Sequence, residues 1–140
     1  ALVKSQLPEL PIATAIHPSA IIGSDVSIGA GTIVMAGSIV NPGCSIGKCC
    51  IVNTAASLDH DSTMHDYSSL APGVVTGGNC TIGSYAAIGI GATLIHDVTI
   101  GEHTVVGAGA TVTADIDPFA VAIGTPARVT RSRTAGSKYL

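Results

Sequence analysis

The chain has 140 residues, a length that suits one domain with a hydrophobic core of its own. Only 3% of the residues are aromatic, 46% are hydrophobic and 17 are glycine, so the core must consist of small aliphatic side chains. The net charge of −3 argues against a nucleic-acid-binding surface, and no apolar run reaches the roughly 18 residues of a membrane-spanning helix.

The first fifteen residues precede the repetitive part of the sequence. A secretion signal has a charged stretch followed by an apolar stretch, and these residues do not show this pattern. We therefore predict a cytoplasmic location without membrane insertion. Because the chain starts at Ala1 rather than at Met, we expect residues 1–15 to be the lead-in from an N-terminal domain that this sequence lacks.

A six-residue repeat dominates residues 16–117. In steps of six from Ile16 to Val112, sixteen of seventeen residues are aliphatic or Met, and the exception is Thr76. Four positions after each of them stands a residue that is nearly always small. A period of six fits neither a helix nor a simple alternating strand, and it indicates a coil whose flat sides are one hexapeptide long.

Three such hexapeptides make one triangular coil, so residues 16–117 are long enough for five to six coils. The sequence therefore predicts an all-β, parallel β-helix with aliphatic side chains in its centre and strands about 4.8 Å apart. Glycine often follows the aliphatic residue, as at Gly29 and Gly83, and we expect it to ease the backbone through the turn. Residues 118–140 leave the pattern and are predicted to form a C-terminal cap or tail.

The four cysteines follow the same repeat. Cys44, Cys50 and Cys80 occupy the small inward position, and only Cys49 is expected outside the core. Paired C-x-x-C spacing is missing, and nothing in the sequence marks the chain for export. The sequence therefore predicts reduced, non-catalytic thiols rather than disulfides or a zinc site.

The segment Asp59–Tyr67 contains the densest group of titratable residues, with two of the five histidines and three of the nine acids. His60 is followed directly by Asp61. A carboxylate beside an imidazole favours the protonated ring and so raises its basicity. Because a ring at a corner of the coil stays exposed, we interpret His60 as a candidate general base.

Four segments in this order resemble the hexapeptide-repeat sugar acetyltransferases of the sialic acid O-acetyltransferase and bacillosamine-type N-acetyltransferase family. They are AIHPSA at 15–20, VNTAASLDHD at 52–61, DYSSLAPG at 66–73 and AIGTPARV at 122–129. The resemblance implies a left-handed β-helix and a homotrimer that binds acetyl-CoA in the groove between two prisms. It identifies His60 as the catalytic base, Asp61 as the acid that strengthens it, and Asn53 as an active-site asparagine.

The resemblance also implies the chemistry and the cofactor contacts. The acetyl group would pass directly from acetyl-CoA to an acceptor amine or hydroxyl, with no covalent enzyme intermediate and no metal. The family pattern places the backbone N–H of Gly78 at the thioester oxygen, and the backbones of Ile90 and Ala108 against the cofactor. Ser69 stands where many relatives have a cofactor-side histidine, a change expected to alter cofactor affinity or acceptor choice. Arg128 belongs to a basic C-terminal cluster that either meets the cofactor phosphates or is a solvated tail.

The acceptor stays open at this point. The family usually carries an N-terminal nucleotide-binding domain of βαβ type, which holds the nucleotide of the sugar acceptor, and this sequence does not supply it. We favour the amino group of a nucleotide-linked 4-amino-sugar, and the alternative is a hydroxyl of sialic acid.

Two functions of other classes compete with acetyl transfer. The γ-class carbonic anhydrases hold zinc with three histidines on the same fold. Here His60 and His96 are two coils apart, about 9.6 Å, so they cannot share one metal within a chain. The close pair, His60 and His65, comes before this gap rather than after it, and Gly101 stands where the third ligand would be expected.

The other alternative is a non-catalytic trimeric scaffold. Regular outward threonine ladders would favour it, and we find none in the sequence. The remaining histidines are interpreted as structural at His17 and as surface residues at His65, His96 and His103. His96 and Asp97 occupy the same repeat position as His60 and Asp61, and the role of His96 stays open.

Overall fold

Short strands follow one another at intervals of six residues, as the repeat predicts. The structure is a computed structural model that describes residues 11–138. Within that range it contains no helix, and hence none that could cross a membrane. The strands are β1 (Ala15–Ile16), β2 (Ile21–Ile22), β3 (Ser27–Ile28), β4 (Ile33–Val34), β5 (Ile39–Val40), β6 (Ser45–Ile46), β7 (Ile51–Val52), β8 (Ser57–Leu58), β9 (Thr63–Met64), β10 (Ser69–Leu70), β11 (Val75–Thr76), β12 (Thr81–Ile82), β13 (Ala87–Ile88), β14 (Thr93–Leu94), β15 (Thr99–Ile100), β16 (Val105–Val106), β17 (Thr111–Val112), β18 (Ala120–Ile123) and β19 (Arg128–Ser132).

Each two-residue strand pairs in parallel with the strand one coil further on. Sheet A has the order β1-β4-β7-β10-β13-β16-β18-β19, sheet B the order β17-β14-β11-β8-β5-β2, and sheet C the order β15-β12-β9-β6-β3. The fold is the predicted left-handed parallel β-helix, with about six coils. We call its edges the AB corner, which includes residues 53–56, the BC corner, which includes residues 59–62, and the CA corner, which includes residues 65–68.

The core consists of the inward residues that the repeat predicts. Leu58, Leu70 and Ile88 are almost completely buried, and so are small residues such as Ala56. Burying one such aliphatic side chain contributes about 1.5–3 kcal/mol relative to leaving it exposed. Within residues 11–138 no coil precedes the first one, and its Ile16 is 46% exposed.

The cysteines lie where the repeat predicts. Cys44, Cys50 and Cys80 are buried, Cys49 is half-buried, and all four are free thiols. Burial raises the pKa of the Cys44 and Cys80 thiols, so both stay protonated and unreactive near neutral pH.

The role of glycine in the turns differs from the prediction. The residue with left-handed backbone lies three positions after the aliphatic one, as at Asp61 (φ 57°) and Tyr67 (φ 64°). The glycine directly after the aliphatic residue instead permits close stacking of coils: a Cβ on Gly83 would lie 2.5 Å from the backbone nitrogen of Glu102. Close backbone approach, rather than the turn, explains glycine at this position.

The three outer faces differ in polarity. Sheets A and B present aliphatic side chains, including Ile33 and Ile51 on sheet A and Ile21 and Val75 on sheet B, all substantially exposed. Sheet C presents a ladder of hydroxyl residues, namely Ser27, Ser45, Thr63, Thr81 and Thr99. The expectation that outward ladders of this kind are absent was therefore wrong.

The C-terminal segment covers the last coil on one side. Strand β18 pairs in parallel with β16 and so continues sheet A, and β19 returns antiparallel beside β18. These strands bury the outward side chain of Val105, which is 5% exposed. In this pairing Arg128 lies opposite Ile123.

Candidate functional site

His60 and Asp61 form an exposed pair at the BC corner, directly after β8. His60 Nδ1 lies 2.9 Å from Asp61 Oδ2, and 60% and 69% of the two side chains are exposed. This hydrogen bond raises the pKa of His60 above its ordinary value, and the negative charge of Asp59 raises it further. When Nδ1 donates its proton to Asp61, Nε2 presents its lone pair, so the pair has the form of an oriented base.

Asp59 fixes the backbone in front of this ring. Its Oδ1 accepts hydrogen bonds from the backbone N–H of His60 at 2.9 Å and from Asn41 Nδ2 at 2.6 Å. Both bonds, that from His60 first, lower the pKa of the Asp59 carboxyl, which therefore stays ionised near neutral pH.

Gly78 lies under the His60 ring, one coil further on. A Cβ at this position would stand 2.5 Å from both Cε1 and Nε2 of His60, so only glycine leaves room for the ring. The backbone N–H of Gly78 donates to no group within residues 11–138. A free N–H beside Nε2 can donate to an oxygen that gains negative charge there.

A shallow apolar groove of about 430 Å³ runs along sheet A to the AB corner. Ser69, Ala87 and Val105 form its floor, and Ile90 and Ala108 form its edge at the corner. In the described part of the chain the backbone N–H groups of these two corner residues donate to no other group. The groove is thus an apolar channel with free amide donors along one side, and its size suits a small ligand.

The other two predicted site residues lie near this groove. Asn53 is at the AB corner, where its Oδ1 accepts the N–H of Thr54 at 2.8 Å. Arg128 is exposed on β19, opposite Ile123, whose Cγ2 would be 2.6 Å from a Cβ on Gly107 in the groove. Its guanidinium donates from one terminal nitrogen to the carbonyl of Ala127 at 3.0 Å.

The predicted site residues fall into two groups within one chain. His60, Asp61 and Gly78 share the BC corner, and a second group shares sheet A, the AB corner and the C-terminal strand. The members of this second group are Asn53, Ser69, Ile90, Ala108 and Arg128. Sheet B separates the two groups, so the chain does not bring them together by itself.

Other histidines occupy different settings. His96 lies on the BC corner two coils from His60, and its Nε2 is 3.9 Å from Asp97 Oδ2. His17 Nδ1 lies 2.8 Å from Ser19 Oγ. Residues 11–138 contain no group of three or more His, Cys, Asp or Glu side chains that could hold a metal ion.

The sequence analysis missed a ladder of stacked rings at the CA corner. Tyr67, Tyr85, His103 and Phe119 stack with centroid distances of 4.8, 4.7 and 5.0 Å, and each has a positive φ. His103 is thus a member of a stack rather than a simple surface residue. The spacing of 18 residues between the first three rings was the signal in the sequence that could have revealed it.

Comparisons with known proteins agree with this fold. The bacterial transferase hexapeptide family (six repeats) matches residues 79–114. No curated protein matches the chain.

Several solved structures are similar to the chain. The acetyltransferase domain of PglB from Neisseria gonorrhoeae FA1090, in complex with acetyl coenzyme A, is 33% identical over 91% of this chain and 62% of that chain, with a TM-score of 0.87. PerB from Caulobacter crescentus, in complex with CoA and GDP-perosamine, is 38% identical over 92% of this chain and 62% of that chain, with a TM-score of 0.89. WeeI from Acinetobacter baumannii AYE is 28% identical over 91% of this chain and 64% of that chain, with a TM-score of 0.84. The chain therefore spans only 62% of the length of the first two structures.

Proposed function

We propose that this chain is a bacterial hexapeptide-repeat transferase similar to the sugar N-acetyltransferases, and that it transfers acetyl groups from acetyl-CoA to an amino-sugar. One observation carries the proposal. The His60–Asp61 pair holds Nε2 over Gly78, whose backbone N–H donates to no group in the described part of the chain, so a base and an oxyanion donor lie at one corner. This is the minimum that direct acyl transfer requires.

The reaction follows from these two groups. Nε2 of His60 takes a proton from the acceptor amine as the amine nitrogen attacks the thioester carbonyl of acetyl-CoA. The carbonyl oxygen gains negative charge, which the N–H of Gly78 stabilises. The carbon–sulfur bond then breaks, coenzyme A leaves as the thiolate, and His60 returns the proton to it. Asp61 holds the ring in the tautomer that keeps Nε2 free and stabilises the imidazolium form.

The groove on sheet A is the proposed binding site for acetyl-CoA. Its apolar floor of Ser69, Ala87 and Val105 suits the flexible arm of the coenzyme, and the free N–H groups of Ile90 and Ala108 can donate to amide oxygens of that arm. Arg128, at the C-terminal end of the same face, is the proposed partner of the phosphates. The PglB structure is a complex with acetyl coenzyme A, and the PerB structure is a complex with CoA.

A site made of both groups needs a second copy of the chain. Because sheet B separates the BC corner from the groove, His60 can reach an acetyl-CoA in the groove only if that groove belongs to a neighbouring chain. The exposed aliphatic faces of sheets A and B suit burial between copies, whereas the hydroxyl ladder of sheet C suits water. We propose a homotrimer, in which the BC corner of one prism lies against the sheet A groove of its neighbour.

The charge of the BC corner favours an amine as the acceptor. Asp59, Asp61 and Asp97 surround His60, and the turn residues of this corner include no Lys or Arg. A negative corner attracts the ammonium form of an amino-sugar, whereas it repels the carboxylate of sialic acid. The PerB structure is a complex with GDP-perosamine as well as CoA. We therefore place a nucleotide-linked 4-amino-sugar before sialic acid, and a cytoplasmic location fits the four reduced cysteines.

The test is release of free coenzyme A from acetyl-CoA by the protein, together with detection of the acetylated sugar. The acceptors are GDP- and dTDP-linked 4-amino-sugars, their 4-hydroxy counterparts and free sialic acid. We expect turnover with an amino-sugar and none with its hydroxy counterpart. Acetylation of sialic acid alone would favour the O-acetyltransferase, and failure to bind acetyl-CoA would contradict the proposal.

Asp61→Asn should move the pH dependence of catalysis. The base is the neutral form of His60, so kcat/KM rises with pH through the pKa of this ring, which the carboxylate of Asp61 raises. With Asn the pKa falls, so the acidic limb of the profile moves to lower pH, and the plateau falls about tenfold or more because the base is weaker. The measurement is kcat/KM against pH, and Asp97→Asn, the weakest contributor at the same corner, should leave the profile nearly unchanged.

Gly78→Ala should reduce activity without unfolding the protein. The new methyl group would meet only the end of the His60 side chain, which can rotate away into solvent because it is 60% exposed. The ring then leaves the N–H of residue 78, and we expect kcat to fall roughly a hundredfold. Thermal unfolding measured on the same sample should stay close to that of the unchanged protein, and wild-type kcat in the variant would argue against this geometry.

A further inference from the structure

Thr76 is the one residue that breaks the aliphatic column of the β-helix. Among the seventeen inward positions from Ile16 to Val112 all others are aliphatic or Met. Thr76 is 3% exposed, so its hydroxyl lies inside the core. A buried hydroxyl is costly unless it is hydrogen-bonded, and valine has almost the same shape. Core packing alone therefore does not explain threonine at this position.

The hydroxyl replaces one backbone hydrogen bond between coils. At the corresponding turns, the residue after each strand donates its N–H to a backbone carbonyl of the next coil, as Asn41 does to Leu58 at 2.9 Å and Gly77 to Leu94 at 2.8 Å. The same bonds occur after every other two-residue strand from β1 to β16. Asp59 is the exception, because its N–H donates to Oγ1 of Thr76 at 3.0 Å. Accordingly, β8 and β11 share only the pair Val75 and Ser57.

The missing backbone hydrogen bond is that of Asp59, the residue before the proposed base, His60. Asp59 is the residue whose carboxylate accepts the N–H of His60, at 2.9 Å. Gly78, on which the His60 ring rests, follows Thr76 by two residues. The hydroxyl therefore sits between the two backbone segments whose relative position sets the distance from Nε2 of His60 to the N–H of Gly78. An aliphatic residue has no acceptor in its side chain, so the Asp59 N–H would return to the carbonyl of residue 76.

We propose that Thr76 is a positioning residue for the acetyl-transfer site: its buried hydroxyl draws the backbone N–H of Asp59 out of the regular ladder and so sets the turn that places His60 over Gly78. The proposal rests on the proposed function for its effect on catalysis. Its structural part, the placement of the His60 ring, can be measured without any acceptor.

The test compares Thr76→Val, Thr76→Ser and the control Thr32→Val. Thr32 is also fully buried, and its Oγ1 also accepts a backbone N–H at 3.0 Å, that of Cys50. It stands next to sheet A in another coil, away from the BC corner. The readouts are kcat, the KM for acetyl-CoA, thermal unfolding, and the titration of the His60 ring by NMR, with the signal assigned by its loss in His60→Ala.

We expect Thr76→Val to lower kcat at least tenfold with little change in KM, and to lower the midpoint of the His60 titration as contact with Asp59 weakens. In Thr76→Ser, kcat should lie within about threefold of the wild-type value, and the midpoint of the His60 titration within a few tenths of a pH unit of it. Thr76→Val should unfold at the same or a higher temperature, and Thr32→Val should leave the His60 titration unchanged. A Thr76→Val protein with the wild-type His60 titration would overturn the proposal, and so would equal losses in the valine and serine variants. If no acceptor supports turnover, the His60 titration alone tests the role of Thr76. Failure of the proposed function is therefore distinguishable from failure of this inference.

Discussion

His60→Ala is expected to lower kcat for amino-sugar acetylation by about a hundredfold to ten-thousandfold, the usual contribution of a general base. The side chain is 60% exposed and its ring lies over Gly78 at the surface, so its removal leaves the core intact. The groove on sheet A does not include His60, so the KM for acetyl-CoA should change little. The measurement is the steady-state rate of coenzyme A release at saturating concentrations of both substrates.

The matched control is His96→Ala. His96 occupies the same position of the same corner two coils away and is also paired with an aspartate, at 3.9 Å, but no free glycine N–H lies beneath its ring. We expect less than a threefold change in kcat for this variant. Equal losses in the two variants would mean that the negative corner as a whole, and not the base at His60, supports turnover.

Ala87→Trp is expected to raise the KM for acetyl-CoA by roughly a hundredfold, equivalent to a loss of about 2.8 kcal/mol of binding free energy. Ala87 lies in the middle of the groove floor, and its side chain points outward, so an indole can extend into the channel without entering the core. Because the groove is only about 430 Å³, the ring removes much of the space available to the ligand. The dissociation constant for acetyl-CoA, measured by calorimetry, should rise in parallel.

Thr81→Trp is the control for this substitution. Thr81 holds the same outward position on sheet C, is also half-buried, and lies away from the groove. It should leave the affinity for acetyl-CoA and the mass of the oligomer unchanged. Acetyl-CoA binding that is weakened equally by both substitutions would contradict the assignment of the groove.

The sequence determines most of this fold because a β-helix is a local repeat. Each hexapeptide carries its own strand, turn and inward residue, so one period predicts the strands, the core and the buried cysteines from Ile16 to Val112. The His60–Asp61 pair was predictable for the same reason, since adjacent residues at a corner stay adjacent in space. Even the anomaly of Thr76 was visible, although its partner, Asp59, was not.

Features that depend on neighbouring coils were harder to predict. The Ser/Thr ladder of sheet C and the stack of Tyr67, Tyr85 and His103 follow a period of 18 residues, which the analysis in steps of six does not reveal. Strands β18 and β19 fold back beside β16, and no repeat encodes that return. The separation of His60 from Asn53 and Ile90 by sheet B also appears only in three dimensions.

The central claim is that one chain supplies the base and its neighbour supplies the groove, and mixed oligomers of His60→Ala and Ala87→Trp test it most directly. Each chain then carries one defect, and co-expression in equal amounts randomises the neighbours. We expect the mixture to regain about a quarter of wild-type activity at limiting acetyl-CoA, because half of the chains bring an intact base and half of their neighbours an intact groove. If mixed oligomers form, as shown by two affinity tags, and activity stays at the level of the separate variants, the site does not span two chains and this account is wrong.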